Sequence, residues 1–113
     1  VEVASYPQLV LPKTAFNAAG FPTLLPPGTE EVLVAGCEAH VCVLQTVLGL
    51  LGARHRVLVV TDAVGSRTAA NREAALDRLV RHGAELVTTE MVLFEWLRDA
   101  IHPRFREVQA LIR

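Results

Sequence analysis

Two unbroken apolar runs constrain the fold of this chain most: residues 32–35 are VLVA and residues 57–60 are VLVV. A strand with one face in water alternates apolar and polar residues, so unbroken runs are typical of strands that helices cover on both faces. Between them, residues 41–51 carry apolar side chains at helical spacing and also on the opposite side, which predicts an almost wholly buried helix. This strand, helix and strand are the repeating unit of a parallel sheet.

The segment before the first run predicts a short strand and a loop. Residues 9–11 (LVL) are apolar, and Pro12 disfavours helix at the residue before it, so we expect a strand there with Lys13 just after its end. Residues 20–28 contain two glycines and three prolines, which predicts a connecting loop with room for at most one helical turn.

Strands and helices continue to alternate after the second run. A polar loop is predicted between Asp62 and Thr68, followed by a helix over residues 69–82 that ends at Gly83. This order predicts an α/β fold, with a three-layer α/β/α, Rossmann-like arrangement around a parallel sheet. The remaining predicted elements are a strand over residues 85–88, a helix from Glu90 capped by Thr89, and an amphipathic helix that begins at Pro103.

Size and charge limit the domain count and the partners. A chain of 113 residues that is 51% hydrophobic can bury one core, so we expect residues 1–113 to form a single domain. The chain has 11 Lys and Arg against 12 Asp and Glu, and no basic stretch that would suit nucleic acid or anionic lipid. Its apolar runs are far below the ~18 residues that cross a bilayer. We therefore expect a cytoplasmic protein that binds neither nucleic acid nor membrane.

Three segments converge on one edge of the predicted sheet, because chemistry in such sheets gathers at the carboxyl ends of the strands. They are Lys13, residues 36–42 and residues 62–67. Residues 36–42 (GCEAHVC) join a strand to a helix, so Cys42 lies in the first helical turn. There, unpaired N–H groups and the helix dipole favour the thiolate, which is the nucleophilic form, and can also hold an oxyanion. Lys13, the one lysine of the chain, could stabilise negative charge beside it.

Each of these residues also has a structural interpretation. Cys42 could equally be a small buried residue at the start of a core helix, and Cys37, inside the strand end, is better explained as structural. Lys13 and Glu38 could be solvated charges, and His40 a loop or core histidine. Their concentration on one edge favours a functional role for Lys13 most, and leaves Glu38 and His40 as pocket candidates.

The segment GCEAHVCVLQT, followed by VLVVTDAVGSR, resembles the isochorismatase-like hydrolases, which include nicotinamidases and N-carbamoyl amide hydrolases. The resemblance covers nearly the whole chain. It extends to the isochorismatase-domain-containing subgroup, which shares the EAHVC type of loop and a tail similar to DAIHPRFREVQALIR.

The resemblance implies that Cys42 is the catalytic nucleophile and that Lys13, in a segment similar to LPKTAF, is a second catalytic residue. It also implies a cis peptide bond between Cys37 and Glu38, with an oxyanion hole made by the N–H groups of Glu38 and Cys42.

Further site residues follow from the same resemblance. Asp62, Ser66 and Arg67 match a DAxxSR segment and are expected to order a loop. His40 and Phe16 are candidates for the substrate pocket.

One catalytic residue of the family has no match in this sequence. The resemblance implies an Asp at the end of a first, central strand, in a segment similar to DxQ, yet Glu2 is the only acid before Lys13. We therefore expect that the natural chain continues upstream and that this sequence lacks the first strands of the fold.

The resulting functional hypothesis is a cysteine hydrolase that cleaves a small-molecule amide, or a related C–N or ester bond, through a thioester. Because the resemblance implies that true isochorismatases usually lack this thiol, isochorismate is not the expected substrate. The four histidines have no ligand spacing, and we predict no metal and no cofactor. The resemblance also implies a homo-oligomer.

Two other function classes remain open. A catalytically inactive fold that serves as an oligomerisation or interaction module is the main alternative. A thiol redox protein is less favoured, because Cys37 and Cys42 lack the CxxC spacing.

Overall fold

The computed structural model of the protein describes residues 9–112. Val32 of the first strand pairs with Val57 of the second, and the described sheet has the order β1-β2-β3 with all neighbours parallel. The predicted α/β fold with a parallel sheet is therefore confirmed. The strands are β1 (Glu31–Cys37), β2 (Arg56–Gly65) and β3 (Glu85–Val87).

Helical segments follow all three strands. Residues 39–43 form one π-helical turn, here called the Cys42 turn, which continues without a break into α1. Among residues 9–112, no helix is long and apolar enough to span a membrane. The helical elements are the Cys42 turn (Ala39–Val43), α1 (Leu44–Gly52), α2 (Ala69–Arg81), α3 (Thr89–Leu97) and α4 (Phe105–Leu111).

The two faces of β2 bury alternate side chains in two separate cores. Val57 and Val59 pack into the larger core, which also contains buried residues of the Cys42 turn, α1 and α2. Leu58 and Val60 point to the other face, in a smaller core with Val87 and with Val92 of α3. This alternation follows from the period of two along a strand, and it puts helices on both sides of the sheet.

The prediction that the strands at residues 32–35 and 57–60 are covered on both faces is right for β2 and wrong for β1. Val32 and Val34 pack against the larger core, but Leu33, on the opposite face of β1, is 37% exposed. The physical reason is position: β1 is an edge strand of the described sheet, and α3 covers the far face of β2 and β3 instead.

The strand predicted over residues 9–11 is also wrong, because these residues have no regular secondary structure. An apolar, extended sequence becomes a strand only when a neighbouring strand pairs with it, and within residues 9–112 β1 pairs with β2 alone.

The polar loop predicted after Asp62 is too long, since β2 continues to Gly65. Cys37 pairs with Gly65 after a shift in register between Val34 and Gly36, so the ladder extends past the last apolar residue of the run.

The helices agree with the predictions except near their ends. The helix predicted over residues 41–51 starts earlier, and it is buried at five positions while Gln45 is exposed. The cap of α3 is Thr88 rather than Thr89, because the Thr88 hydroxyl accepts from Met91 N. The last helix, α4, begins two residues after Pro103 and buries none of its side chains. The five buried positions are Ala39, Val43, Leu44, Val47 and Leu50.

Candidate active site

The Cys42 turn begins directly at the carboxyl end of β1. The peptide bond between Cys37 and Glu38 is cis, at the position where the resemblance implies one. Glu38 is extended and caps the turn, because its carbonyl oxygen accepts hydrogen bonds from Val41 N (3.1 Å) and Val43 N (3.2 Å). Cys42 is therefore held in the first turn of a long helical segment. Its side chain is partly buried, whereas Cys37 is exposed.

Lys13 and Cys42 are neighbours in the structure although 29 positions separate them in the sequence. The Lys13 Nζ lies 3.7 Å from the Cys42 Sγ, and it also donates to the Ala15 carbonyl oxygen at 3.1 Å. Among residues 9–112, Lys13 is the one side chain that contacts the Cys42 sulfur through a polar atom. The pair can hold a thiolate beside a fixed positive charge.

The segment after β2 is bonded to the loop that carries Cys42. The Glu38 carboxylate accepts two hydrogen bonds from Arg67, one from its backbone N–H (2.9 Å) and one from its Nε (3.1 Å). His40 Nδ1 and Ser66 Oγ form a second link of 2.9 Å. Two cross-links therefore join residues 66–67 to residues 38–40, just before Cys42 in the chain.

Asp62 lies in the same predicted motif but has a different partner. Its Oδ1 accepts hydrogen bonds from the Thr89 N–H (2.8 Å) and the Thr89 hydroxyl (2.9 Å), at the start of α3. These two bonds hold the pKa of Asp62 below its ordinary value of 3.8. Asp62 thus anchors α3 to β2, while Ser66 and Arg67 contact the Cys42 loop.

A cavity lies next to Lys13, and neither pocket candidate, Phe16 or His40, is among the residues that line it. It has a volume of about 380 Å³ and is lined by Phe21 rather than Phe16, which is 56% exposed. His40, the second pocket candidate, is engaged with Ser66. The lining residues are Pro12, Lys13, Thr14, Ala15 and Phe21.

Within the described residues, no group of three or more His, Cys, Asp or Glu side chains is placed to hold a metal ion.

Sequence inspection missed two residues that contact the segment carrying Lys13. Thr46 Oγ1 accepts from the Ala18 N–H at 2.9 Å, and Gly49 lies against Ala19 and Asn17. The available signal was their spacing, four and seven residues after Cys42, which puts small residues on the same side of the helix as the thiol.

Comparison with known proteins settles the family. The family model described as "Isochorismatase domain" matches residues 2–91. The chain belongs to the isochorismatase family. It is 40% identical over 111 residues to isochorismatase domain-containing protein 1 of Danio rerio, covering 94% of this chain and 39% of that protein. It is also 44% identical over 87 residues to the secreted isochorismatase effector Isc1 of Phytophthora sojae, covering 77% of this chain and 41% of that protein. The chain thus spans about two fifths of these relatives.

Solved structures agree with this family assignment. The MAR1 ribonuclease of Caenorhabditis elegans superposes with a TM-score of 0.76 and 39% identity, over 88% of this chain and 53% of that one. YcaC of Pseudomonas aeruginosa, described with hexane-2,5-diol and covalent acrylamide, gives 0.62 and 36%, over 65% and 36%. The nicotinamidase PncA of Bacillus subtilis gives 0.50 and 25%, over 51% and 33%. Hydrolases are therefore among the proteins that share this fold.

Proposed function

We propose that this chain supplies the nucleophile of a cysteine hydrolase, with Cys42 as the attacking group and Lys13 as its charge partner. The substrate is a small-molecule amide, or a compound with a related C–N or ester bond. The observation that carries the proposal is the distance of 3.7 Å between the Lys13 Nζ and the Cys42 Sγ, across 29 positions of sequence.

Two features of the chain support a reactive thiol at position 42. Cys42 lies in the first turn of the helical segment, and its sulfur lies beside the Lys13 ammonium, which can stabilise negative charge on that sulfur. The sulfur is partly buried, so its charge interactions are screened less than those of a fully exposed thiol.

The reaction proceeds in two steps. The Cys42 thiolate attacks the carbonyl carbon, a C–S bond forms, and the C–N or C–O bond breaks as the leaving group takes a proton. Water then attacks the thioester, which releases the carboxylic acid and restores the thiol. The N–H groups of Glu38 and Cys42 stabilise the tetrahedral oxyanion, and Lys13 stabilises the charge on sulfur.

The thiol proton must go to a base, and we assign this role to the Asp that the resemblance implies upstream of Lys13. No carboxylate among residues 9–112 contacts the Cys42 sulfur, and Glu2, the one acid before Lys13, lies outside the described residues. Thiol reactivity is therefore the property proposed for the described residues, and full turnover additionally requires a base that accepts the thiol proton.

Two relatives support this chemistry. PncA of Bacillus subtilis is a nicotinamidase, and nicotinamide is a small amide. The YcaC structure contains covalent acrylamide, and acrylamide is an electrophile of the kind that thiolates attack.

Iodoacetamide alkylation of the two cysteines, resolved by peptide mass, tests the proposal with a built-in control. If exposure alone decided reactivity, exposed Cys37 would react faster than partly buried Cys42. We expect the opposite order at neutral pH, and we expect Lys13→Met to slow Cys42 while leaving Cys37 unchanged. A Cys42 that reacts more slowly than Cys37 in the wild-type protein would contradict the proposal and favour the inactive interaction module.

Ribonuclease activity is a second candidate, because the Caenorhabditis elegans neighbour is described as a ribonuclease. The charge balance opposes it: proteins that bind RNA neutralise phosphates with clustered Lys and Arg, whereas this chain has a net charge of -1. Incubation with a labelled single-stranded RNA, with Cys42→Ala as the control, distinguishes the two. If the RNA is cleaved by the wild-type protein and not by Cys42→Ala, RNA replaces the small molecule as the proposed substrate.

Location and assembly are also proposals. A cytoplasmic homo-oligomer remains the expectation, although the Phytophthora sojae relative is named as a secreted effector. Sedimentation velocity measures the number of subunits directly.

A further inference from the structure

Cys42, Thr46 and Gly49 form one stripe along the helical segment made by the Cys42 turn and α1. They are spaced i, i+4 and i+7, which places side chains on one face of a helix. All three contact the same stretch of chain, residues 13–19, here called the Lys13 strap. Lys13 meets Cys42, while Ala18 meets Thr46, so the strap runs along the helix in the direction of the stripe.

The strap lies so close to Gly49 that no side chain fits at this position. A methyl group added at Gly49 would lie 2.7 Å from the Ala19 Cβ and 2.9 Å from the Asn17 Nδ2, closer than such atoms approach. Because the Ala19 methyl is fixed directly to the backbone, the strap itself would have to move. The same substitution at Gly52, at the end of α1, would meet nothing within 4 Å.

Few hydrogen bonds hold the strap, although Ala19 at its end also packs against the larger core. Residues 9–19 contain no strand or helix, so no ladder of backbone hydrogen bonds fixes them to the sheet. Within residues 9–112, the side-chain hydrogen bonds that leave the strap are Lys13 to Cys42 and Ala18 to Thr46. The others, Lys13 to Ala15 and Ala19 to Asn17, stay inside it.

We propose that Thr46 and Gly49 are positioning residues that hold the Lys13 strap on α1 and so keep the Lys13 ammonium beside the Cys42 thiol. Thr46 supplies a hydrogen-bond acceptor for the strap backbone, and Gly49 supplies the space for its close approach. The inference rests on the proposed function only in its meaning for catalysis, because the docking of the strap can be measured without turnover.

Four variants separate positioning from general stability. Thr46→Val removes the acceptor at nearly constant volume, and Thr46→Ser restores it. Gly49→Ala pushes the strap away while giving the helix a better helix former, and Gly52→Ala makes the same exchange in the same helix away from the strap. Lys13→Met removes the charge itself, so its rate of Cys42 alkylation is the lowest that a loss of Lys13 positioning can produce.

Two labelling rates give the readout. Because the chain contains one lysine, acetylation by an N-hydroxysuccinimide ester, resolved by peptide mass, reports the Lys13 amine alone. We expect Thr46→Val and Gly49→Ala to raise this rate several-fold and to lower iodoacetamide alkylation of Cys42 towards the Lys13→Met rate. Wild type, Thr46→Ser and Gly52→Ala should behave alike. Alkylation of Cys37, which is exposed in the native fold, should stay constant because the substitutions change nothing at that thiol.

The outcomes separate this inference from the proposed function. If Lys13→Met slows Cys42 alkylation but Thr46→Val and Gly49→Ala change neither rate, the positioning role is wrong and the proposed nucleophile stands. If both variants free the Lys13 amine while Lys13→Met leaves Cys42 unaffected, the docking of the strap is supported and the proposed role of Lys13 is wrong. If Gly52→Ala acts like Gly49→Ala, the effect belongs to the helix and the positioning role is overturned.

Discussion

The bridge between Glu38 and Arg67 leads to the sharpest quantitative prediction. The Glu38 carboxylate accepts hydrogen bonds from both the backbone N–H and the Nε of Arg67, and different substitutions remove these two bonds. Arg67→Ala deletes the guanidinium but keeps the backbone N–H. Glu38→Ala deletes both bonds at once. The two single variants should therefore have unequal effects, although they break the same ion pair.

The structure sets the size of each effect. The Arg67 side chain is 80% exposed, so its ion pair contributes about 0–1 kcal/mol, as exposed pairs do. The Glu38 side chain is only 27% exposed and also accepts from a backbone N–H, and a hydrogen bond to a charged group contributes about 1.5–3 kcal/mol. We expect Glu38→Ala to lower the free energy of unfolding by about 2–3 kcal/mol, and Arg67→Ala by less than about 1 kcal/mol.

Urea denaturation of the two single variants and the double variant measures these values. Since Glu38→Ala already removes both bonds, the double variant should be no less stable than Glu38→Ala alone. Arg104 and Glu107 form a matched exposed pair at 3.0 Å, so Glu107→Ala should cost less than about 0.5 kcal/mol. If Arg67→Ala costs as much as Glu38→Ala, or if Glu38→Ala costs no more than Glu107→Ala, the backbone N–H of Arg67 does not supply the main stabilisation of the Glu38 carboxylate.

Three further predictions follow from the fold. Leu79 is fully buried, so Leu79→Ala should lower the free energy of unfolding by about 2–5 kcal/mol in urea, whereas Leu111→Ala, at a side chain that is 80% exposed, should change it by less than about 0.5 kcal/mol. Thr88→Ala removes the cap of α3 and should cost about 1 kcal/mol in the same assay, with Thr88→Ser retaining most of the stability. The pKa of Asp62 is lowered in the folded protein by its bonds to Thr89, so its contribution is present above the ordinary value of 3.8 and is lost as the pH falls through the lowered pKa. Melting temperatures measured from pH 6 to pH 2 should therefore fall less steeply at the acid end for Asp62→Asn than for wild type, and equal slopes would contradict the assignment.

The elements that could be predicted from the sequence are those whose pattern is local. The unbroken run at residues 57–60 predicted a strand buried on both faces, and helical spacing predicted α2 to within one residue. The runs at residues 9–11 and 32–35 are also unbroken and apolar, but their burial depends on which segments lie beside them. Composition does not show which segments lie beside a strand. For this reason the strand predicted at residues 9–11 is absent, and the face of β1 that was predicted to be covered is exposed at Leu33.

The candidate site divides in the same way. Lys13 does lie near Cys42, although it follows an irregular segment and not the strand end from which the expectation was argued. Thr46 and Gly49 have helical spacing from Cys42, but the sequence does not show that the irregular segment at residues 13–19 lies against that face of the helix. For the same reason the sequence did not show that Phe21, and not Phe16, lines the cavity beside Lys13, since no periodicity fixes which way a loop side chain points.

Cys42 is held between two tethers that share no residue. On one side, the end of β2 fixes the start of the Cys42 turn through Glu38 and His40. On the other, α1 fixes the strap that carries Lys13. The first tether sets where the sulfur and the N–H groups lie, and the second sets where the positive charge lies. Because the turn that carries the sulfur and the strap that carries Lys13 are held by separate anchors, the surroundings of the Cys42 sulfur are set by tertiary structure well beyond its own loop.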